Sequence, residues 1–95
     1  MSLNLFTLEG KIALVTGATG YLGRQICIGL AESGAHVLVN SRSKSKASEL
    51  VGYIESQGYS AGNAVFDICR DGDIKMFFDN TSHDCIDIIV NNAYA

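Results

Sequence analysis

The chain contains no proline and no tryptophan, and only 18% of its 95 residues are charged. Without proline no position has a locked φ or a missing N–H, so the breaks between regular elements fall to glycine, of which there are ten. No apolar run approaches the ~18 residues of a membrane span. The N-terminus lacks the charged-then-apolar order of a secretory signal, and Met1-Ser2-Leu3 is assigned no function. There is no basic tract and the formal charge is −3, which argues against a nucleic-acid footprint. The three cysteines, Cys27, Cys69 and Cys85, lack metal-ligand spacing, and His36 and His83 are isolated from them and from each other. The expectation is three reduced thiols in a cytoplasmic protein, with no metal site.

What is present is a chain 47% apolar, long enough for one small domain and too short for two. Two hydrophobic periods alternate along it. Ile12-Ala13-Leu14-Val15 reads as a strand buried on both faces, ending at Thr16-Gly17. Over residues 21–33, Leu22, Ile26 and Leu30 recur every four positions beside Cys27, which predicts a helix buried along that stripe and stopped by Gly34. Val37-Leu38-Val39 is a second strand. Ala47, Leu50, Val51 and Ile54 mark a second helix, ended by Gly58. Val65-Phe66 closes a weaker third strand whose start, around Gly62, reads as irregular. Ile74, Phe77 and Phe78 mark a short third helix with Asp71 as its N-cap, and residues 86–90 form a fourth strand. The order β-α-β-α-β-α-β predicts an α/β fold with an open parallel sheet and right-handed crossovers.

The strongest chemical signal is TGATGYLG, residues 16–23, between the first strand and the first helix. A diphosphate needs bare backbone N–H groups at close range and the positive end of a helix dipole. In this setting Gly17 makes the tight turn, Gly20 admits the diphosphate to the backbone, and Gly23 lets the helix pack closely on the sheet. Thr19, Tyr21 and Leu22 belong to the same candidate segment. The plainer reading is a glycine-rich turn that binds nothing, and the flanking strand and helix weigh against it.

These residues resemble the opening of the short-chain dehydrogenase/reductase family. The resemblance spans the chain: Gly10-Lys11 before the first strand, Thr16-Gly17 after it, Gly34-Ala35 before the second, Asp67 after the third, and IDIIVNNA near the end. It implies a Rossmann-type doubly wound parallel sheet, of which residues 1–95 are a single NAD(P)-binding half-domain. Single-domain members usually carry T-G-x-x-x-G-x-G, which puts glycine at position 21. Here Tyr21 stands there and Gly20 precedes it, the spacing of the longer, sugar-nucleotide-modifying branch. Asn91-Asn92-Ala93, in contrast, is similar to the single-domain branch, and the sub-family stays open.

The acidic residue that chelates the ribose of NAD falls about twenty positions after the glycine turn, at the end of the second strand. That place is Asn40 or Ser41, and Arg42 follows. A carboxylate would repel a 2′-phosphate, whereas a hydroxyl and a guanidinium hydrogen-bond it. Lys44 and Lys46 add charge to the same loop, so NADP(H) is favoured over NAD(H). The plainer reading is a solvated basic loop. The resemblance further implies that Asp67, with Ile68, lies beside the adenine and that Asn91 and Ala93 line a cofactor ribose. Tyr94 replaces the glycine common in the family at the next position.

In the family, chemistry resembles acid–base-assisted hydride transfer by a tyrosine, a lysine four residues on and a serine. Four residues beyond Tyr21, Tyr53 and Tyr59 stand Gln25, Gln57 and Asn63, and Tyr94 has no partner. No catalytic residue is therefore assigned, and no hydride transfer is expected from these residues alone. Three functions remain: the cofactor-binding part of an NADP(H)-dependent oxidoreductase acting on a carbonyl or alcohol, a non-catalytic dinucleotide-binding or regulatory module, or a truncated leftover without cofactor affinity. The fourth strand, uncovered, predicts self-association through its edge or through a bare sheet face.

Overall fold

The structure, a computed structural model, describes residues 7–67, 72–80 and 86–92. Seven elements alternate: β1 (Ile12–Val15), α1 (Tyr21–Glu32), β2 (His36–Ser41), α2 (Lys44–Ser56), β3 (Ala61–Val65), α3 (Asp73–Asn80) and β4 (Ile88–Val90). The strands form one parallel sheet in the order β3-β2-β1-β4. The chain winds outward from β1 to β3 and then returns to the other side of β1, which is the reversal of a doubly wound sheet. The α/β fold expected from the sequence is the fold observed. No helix among the described residues is long and apolar enough to cross a membrane.

Glycines end the first two helices in the same way. Gly34 (φ 104°) follows α1, and the N–H groups of Gly34 and Ala35 donate to the carbonyls of Ala31 and Leu30 at 3.0 and 3.1 Å. Gly58 (φ 89°) follows α2, and Gly58 and Tyr59 donate to Glu55 and Ile54 at 3.0 and 3.2 Å. This left-handed closure satisfies carbonyls that a helix end otherwise leaves open. At its start α2 is capped by Ser43, whose hydroxyl accepts the Lys46 N–H at 3.3 Å.

Alternate strand residues face two cores. On one face Ala13, Val15, Val37 and Val39 pack with Cys27 and Ala31 of α1 and with Leu50 and Ile54 of α2. On the other, Leu14, Leu38, Ala64 and Phe66 pack with Phe77 of α3, the two phenyl centroids 5.1 Å apart. That second face is therefore covered over β1 and β2 rather than bare as expected. Its exposed apolar side chain is Ile89 on β4, 62% exposed, and β4 is a sheet edge among the described residues.

Three expectations are corrected. The buried seam of α1 is Gly23, Cys27 and Ala31, while Ile26 and Leu30 flank it and Leu22 is 61% exposed. Small residues at a spacing of four bring the helix close to the sheet, and larger side chains can then only flank the contact. β3 is regular from Ala61, in register with β2 from Val37↔Ala61 to Ser41↔Val65. β4 is shorter than expected, because Ile86 and Asp87 lead into it; the Asp87 carboxylate accepts the Ile12 N–H at 2.9 Å. Asp71, Cys69, Cys85, His83 and Tyr94 lie outside the described residues.

Candidate functional site

The polar residues singled out from the sequence gather at the C-terminal ends of the strands. The glycine turn follows β1, Ser41 ends β2, Asp67 follows β3, and Asn91 follows β4. In an open α/β sheet this end, at the reversal of strand order, is where the crevice forms. Here the reversal lies between β1 and β4.

The three glycines of the turn answer three different demands. Gly17 has φ 61°, a left-handed conformation that favours glycine. Gly23 is required by packing: a Cβ there would sit 2.4 Å from Gly17 O and 2.9 Å from Ala18 Cα, both backbone atoms. Gly20 is required by neither. Its φ is −75°, and a Cβ would meet only Gly17 O, at 3.7 Å. Gly20 is also the N-cap of α1 and carries no side chain to cap it. The first-turn N–H groups, which have no intrahelical acceptor, thus remain open to an outside anion. Tyr21, 86% exposed, and Leu22 flank this helix start.

Hydrogen bonds hold the turn from both sides. From β4, the Asn92 N–H donates to Thr16 Oγ1 at 3.1 Å, and Asn92 Nδ2 donates to Gly17 O at 3.1 Å. Thr16 Oγ1 lies 3.3 Å from both Val90 O and Asn91 Oδ1, either of which can take its hydrogen. From β2, the buried Asn40 accepts the Gly17 N–H on Oδ1 at 3.2 Å, and its carbonyl accepts the Ala18 N–H at 3.0 Å. Asn40 Nδ2 donates to Ala64 O and Phe66 O at 2.9 and 3.1 Å. Asn40, one of the two positions considered for ribose recognition, is thus committed to the protein interior.

Beside it, Ser41 Oγ accepts from Thr19 Oγ1 at 3.4 Å and from the Ser43 N–H at 3.1 Å. Arg42 is exposed at the mouth of the same loop. Asp67 is half-buried, and its N–H donates to Asp73 Oδ2 at 3.1 Å. The structure therefore brings together Gly17, Thr19, Gly20, Gly23, Ser41 and Asn91, and places Arg42 just after β2 and Asp67 just after the edge strand β3. Ile68 and Ala93 lie outside the described residues. From the sequence, Thr16 and Asn92 receive no role, and Asn40 only that of a candidate ribose position. The available signal was a polar residue closing an apolar run, as in VLVN. Cys27 takes no part: it lies in the core, where burial pushes its thiol from 9.0 up to about 12. Among the described residues no three His, Cys, Asp or Glu side chains cluster as a metal site would require.

A family model described as short chain dehydrogenase matches residues 11–94. The chain belongs to this family. Among curated relatives, the chain is 34% identical over 96 residues to 2-dehydro-3-deoxy-D-gluconate 5-dehydrogenase of Formosa agariphila, covering 98% of itself and 36% of that protein. It is 40% identical over 86 residues to the short-chain dehydrogenase/reductase homolog YusS of Bacillus subtilis, covering 87% of itself and 79% of YusS. Among solved structures of the family, gluconate 5-dehydrogenase from Burkholderia cenocepacia in complex with NADP and tartrate superposes with a TM-score of 0.86 at 37% identity, over 93% of this chain and 35% of that one. The chain spans about a third of the length of the first curated relatives it matches.

Proposed function

We propose that these residues form the dinucleotide-binding portion of an NADP(H)-dependent short-chain dehydrogenase, the whole of which transfers hydride between the cofactor and a carbonyl or alcohol. The observation that carries this reading is Gly20. Neither backbone conformation nor packing demands a glycine there, yet it leaves an uncapped helix start open at the reversal of strand order. A diphosphate accounts for that combination. The similar gluconate 5-dehydrogenase, solved with NADP, supports the same reading.

In this reading Gly17, Thr19, Gly20, Tyr21, Leu22 and Gly23 surround the diphosphate. Ser41 and Arg42 meet the adenine ribose, Asp67 and Ile68 flank the adenine, and Asn91 and Ala93 line the other ribose. When bound, the cofactor supplies the hydride or its acceptor. The chain's own residues bind and orient: backbone N–H groups donate to the diphosphate, and the bonds from Asn92 to Thr16 and Gly17 keep the β4 turn against the glycine turn. NADP(H) is favoured over NAD(H) because no carboxylate stands at the end of β2, while the exposed Arg42 offers a charge-assisted bond to a 2′-phosphate. The sequence holds no Tyr-x-x-x-Lys pair, so binding without turnover is expected of these 95 residues. A second reading, a dinucleotide-binding module without catalysis of its own, draws support from YusS, most of which the chain covers. Self-association belongs to the proposal too, with a second copy meeting the β4 edge.

Titration of the chain with NADPH and NADH, followed by nicotinamide fluorescence, tests the assignment. NADPH should bind at least about tenfold more tightly, as one charge-assisted hydrogen bond allows. Arg42→Ala should remove that preference and leave NADH affinity unchanged. Equal affinities in the wild type would sink the NADP(H) assignment. Binding of neither would leave the leftover reading standing.

A further inference from the structure

We propose that Asn40 is a positioning residue that locks the glycine turn and the end of β3 into one frame, so that a single dinucleotide meets both as a rigid site. This rests on the dinucleotide reading above. A primary amide has two hydrogens and two acceptor positions, and Asn40 spends three of these four inside the protein, on Gly17, Ala64 and Phe66. Its backbone carbonyl takes a fourth group, the Ala18 N–H. Two consecutive N–H groups of the glycine turn are thereby oriented by one residue.

The location explains why a polar side chain is retained at a buried strand end. β2 lies between β1 and β3, and position 40 is the place in β2 with Gly17 on one side and Phe66 on the other. Phe66 directly precedes Asp67, assigned to the adenine side, and Gly17 opens the diphosphate side. An apolar residue would finish β2 without the desolvation that an amide suffers on burial. It would also leave the Gly17 N–H and two carbonyls to find other partners. Aspartate would accept from Gly17 but turn a second carboxylate oxygen, which cannot donate, toward the Ala64 and Phe66 carbonyls.

The consequence is separable from plain stability. A ligand that spans both ends needs them in register, whereas one that fills the adenine end alone does not. The test compares NADPH with adenosine 2′-phosphate on the wild type and on Asn40→Ala, with hydrogen exchange followed at the Gly17 and Ala18 amides. Expected are faster exchange at Gly17, NADPH affinity down by about tenfold or more, and adenosine 2′-phosphate affinity held within about twofold. Equal weakening of the two ligands, or unchanged Gly17 exchange, would overturn the proposal. Asn40→Thr replaces the alanine variant should that chain not fold. The wild type provides a further check without any substitution: both Nδ2 protons of Asn40 should exchange slowly, and rapid exchange of either overturns the lock. If the wild type binds adenosine 2′-phosphate but not NADPH, or binds neither, the dinucleotide reading fails before any variant is compared, and this inference falls with it.

Discussion

Gly20 and Gly23 stand three residues apart in one turn, and their physical reasons for lacking a side chain differ. At Gly23 the missing Cβ makes room for Gly17 O and Ala18 Cα, which belong to the backbone and cannot swing aside. Gly23→Ala should therefore lower stability by ~1–3 kcal/mol or more, as overpacking does. At Gly20 the space is open, so Gly20→Ala should cost less than about 1 kcal/mol, the difference between glycine and alanine at an N-cap. On the proposed dinucleotide reading it should nevertheless weaken NADPH binding, because the methyl group would lie where the diphosphate is to approach. Urea denaturation and NADPH titration of both variants decide the matter. Equal destabilisation by the two, or full NADPH affinity in Gly20→Ala, would show that Gly20 is not reserved for a ligand.

Helix α1 makes its contact with the sheet through Gly23, Cys27 and Ala31, and the middle of that seam is a thiol with no exposed surface. Burial disfavours the thiolate and pushes the Cys27 pKa from 9.0 to about 12. In the unfolded chain the thiol ionises near its ordinary value. Between these two values the folded state holds the proton and the unfolded state has released it, so stability falls as pH rises. The slope is at most ~1.4 kcal/mol per pH unit, and below the unfolded value this group adds no pH dependence. The difference in urea midpoint between wild type and Cys27→Ala, followed from neutral pH upward, should stay flat and then shrink through this window. A difference that is constant through the alkaline range would mean that Cys27 does not stay buried and protonated. The helix ends were legible in the sequence, since Gly34 and Gly58 each follow a periodic run and close it. The buried face was not. Hydrophobic periodicity scores leucine above glycine, whereas close helix–sheet approach selects for small size.

At the scale of the molecule, the sheet has one well-covered centre and a short edge. β1 and β2 are buried on both faces, while β4 contributes three residues and exposes Ile89. An uncovered edge with an apolar side chain is a template for pairing. Sedimentation at micromolar concentration should show concentration-dependent association of the wild type and a shift toward monomer in Ile89→Lys, which places a charge on that edge. A wild type that remains monomeric, or a variant that associates equally, would remove β4 from the account.

The local pattern of the sequence determined the order of elements, the places where helices stop and the position of the glycine turn. Each depends on short-range properties: hydrophobic period, left-handed glycine and the strand-to-helix setting of TGATGYLG. From these the residues that follow the strands could be named as a candidate site before any contact was known. The tertiary structure decided what required neighbours distant in the chain. It assigned Asn40 to the interior rather than to a ribose, because Ala64 and Phe66 lie beside it only once β3 pairs with β2. It gave regular pairing to Ala61 and its neighbours, weak strand formers that β2 holds in register. It separated Gly20 from Gly23, because only the packed backbone shows which of two glycines is crowded and which is open.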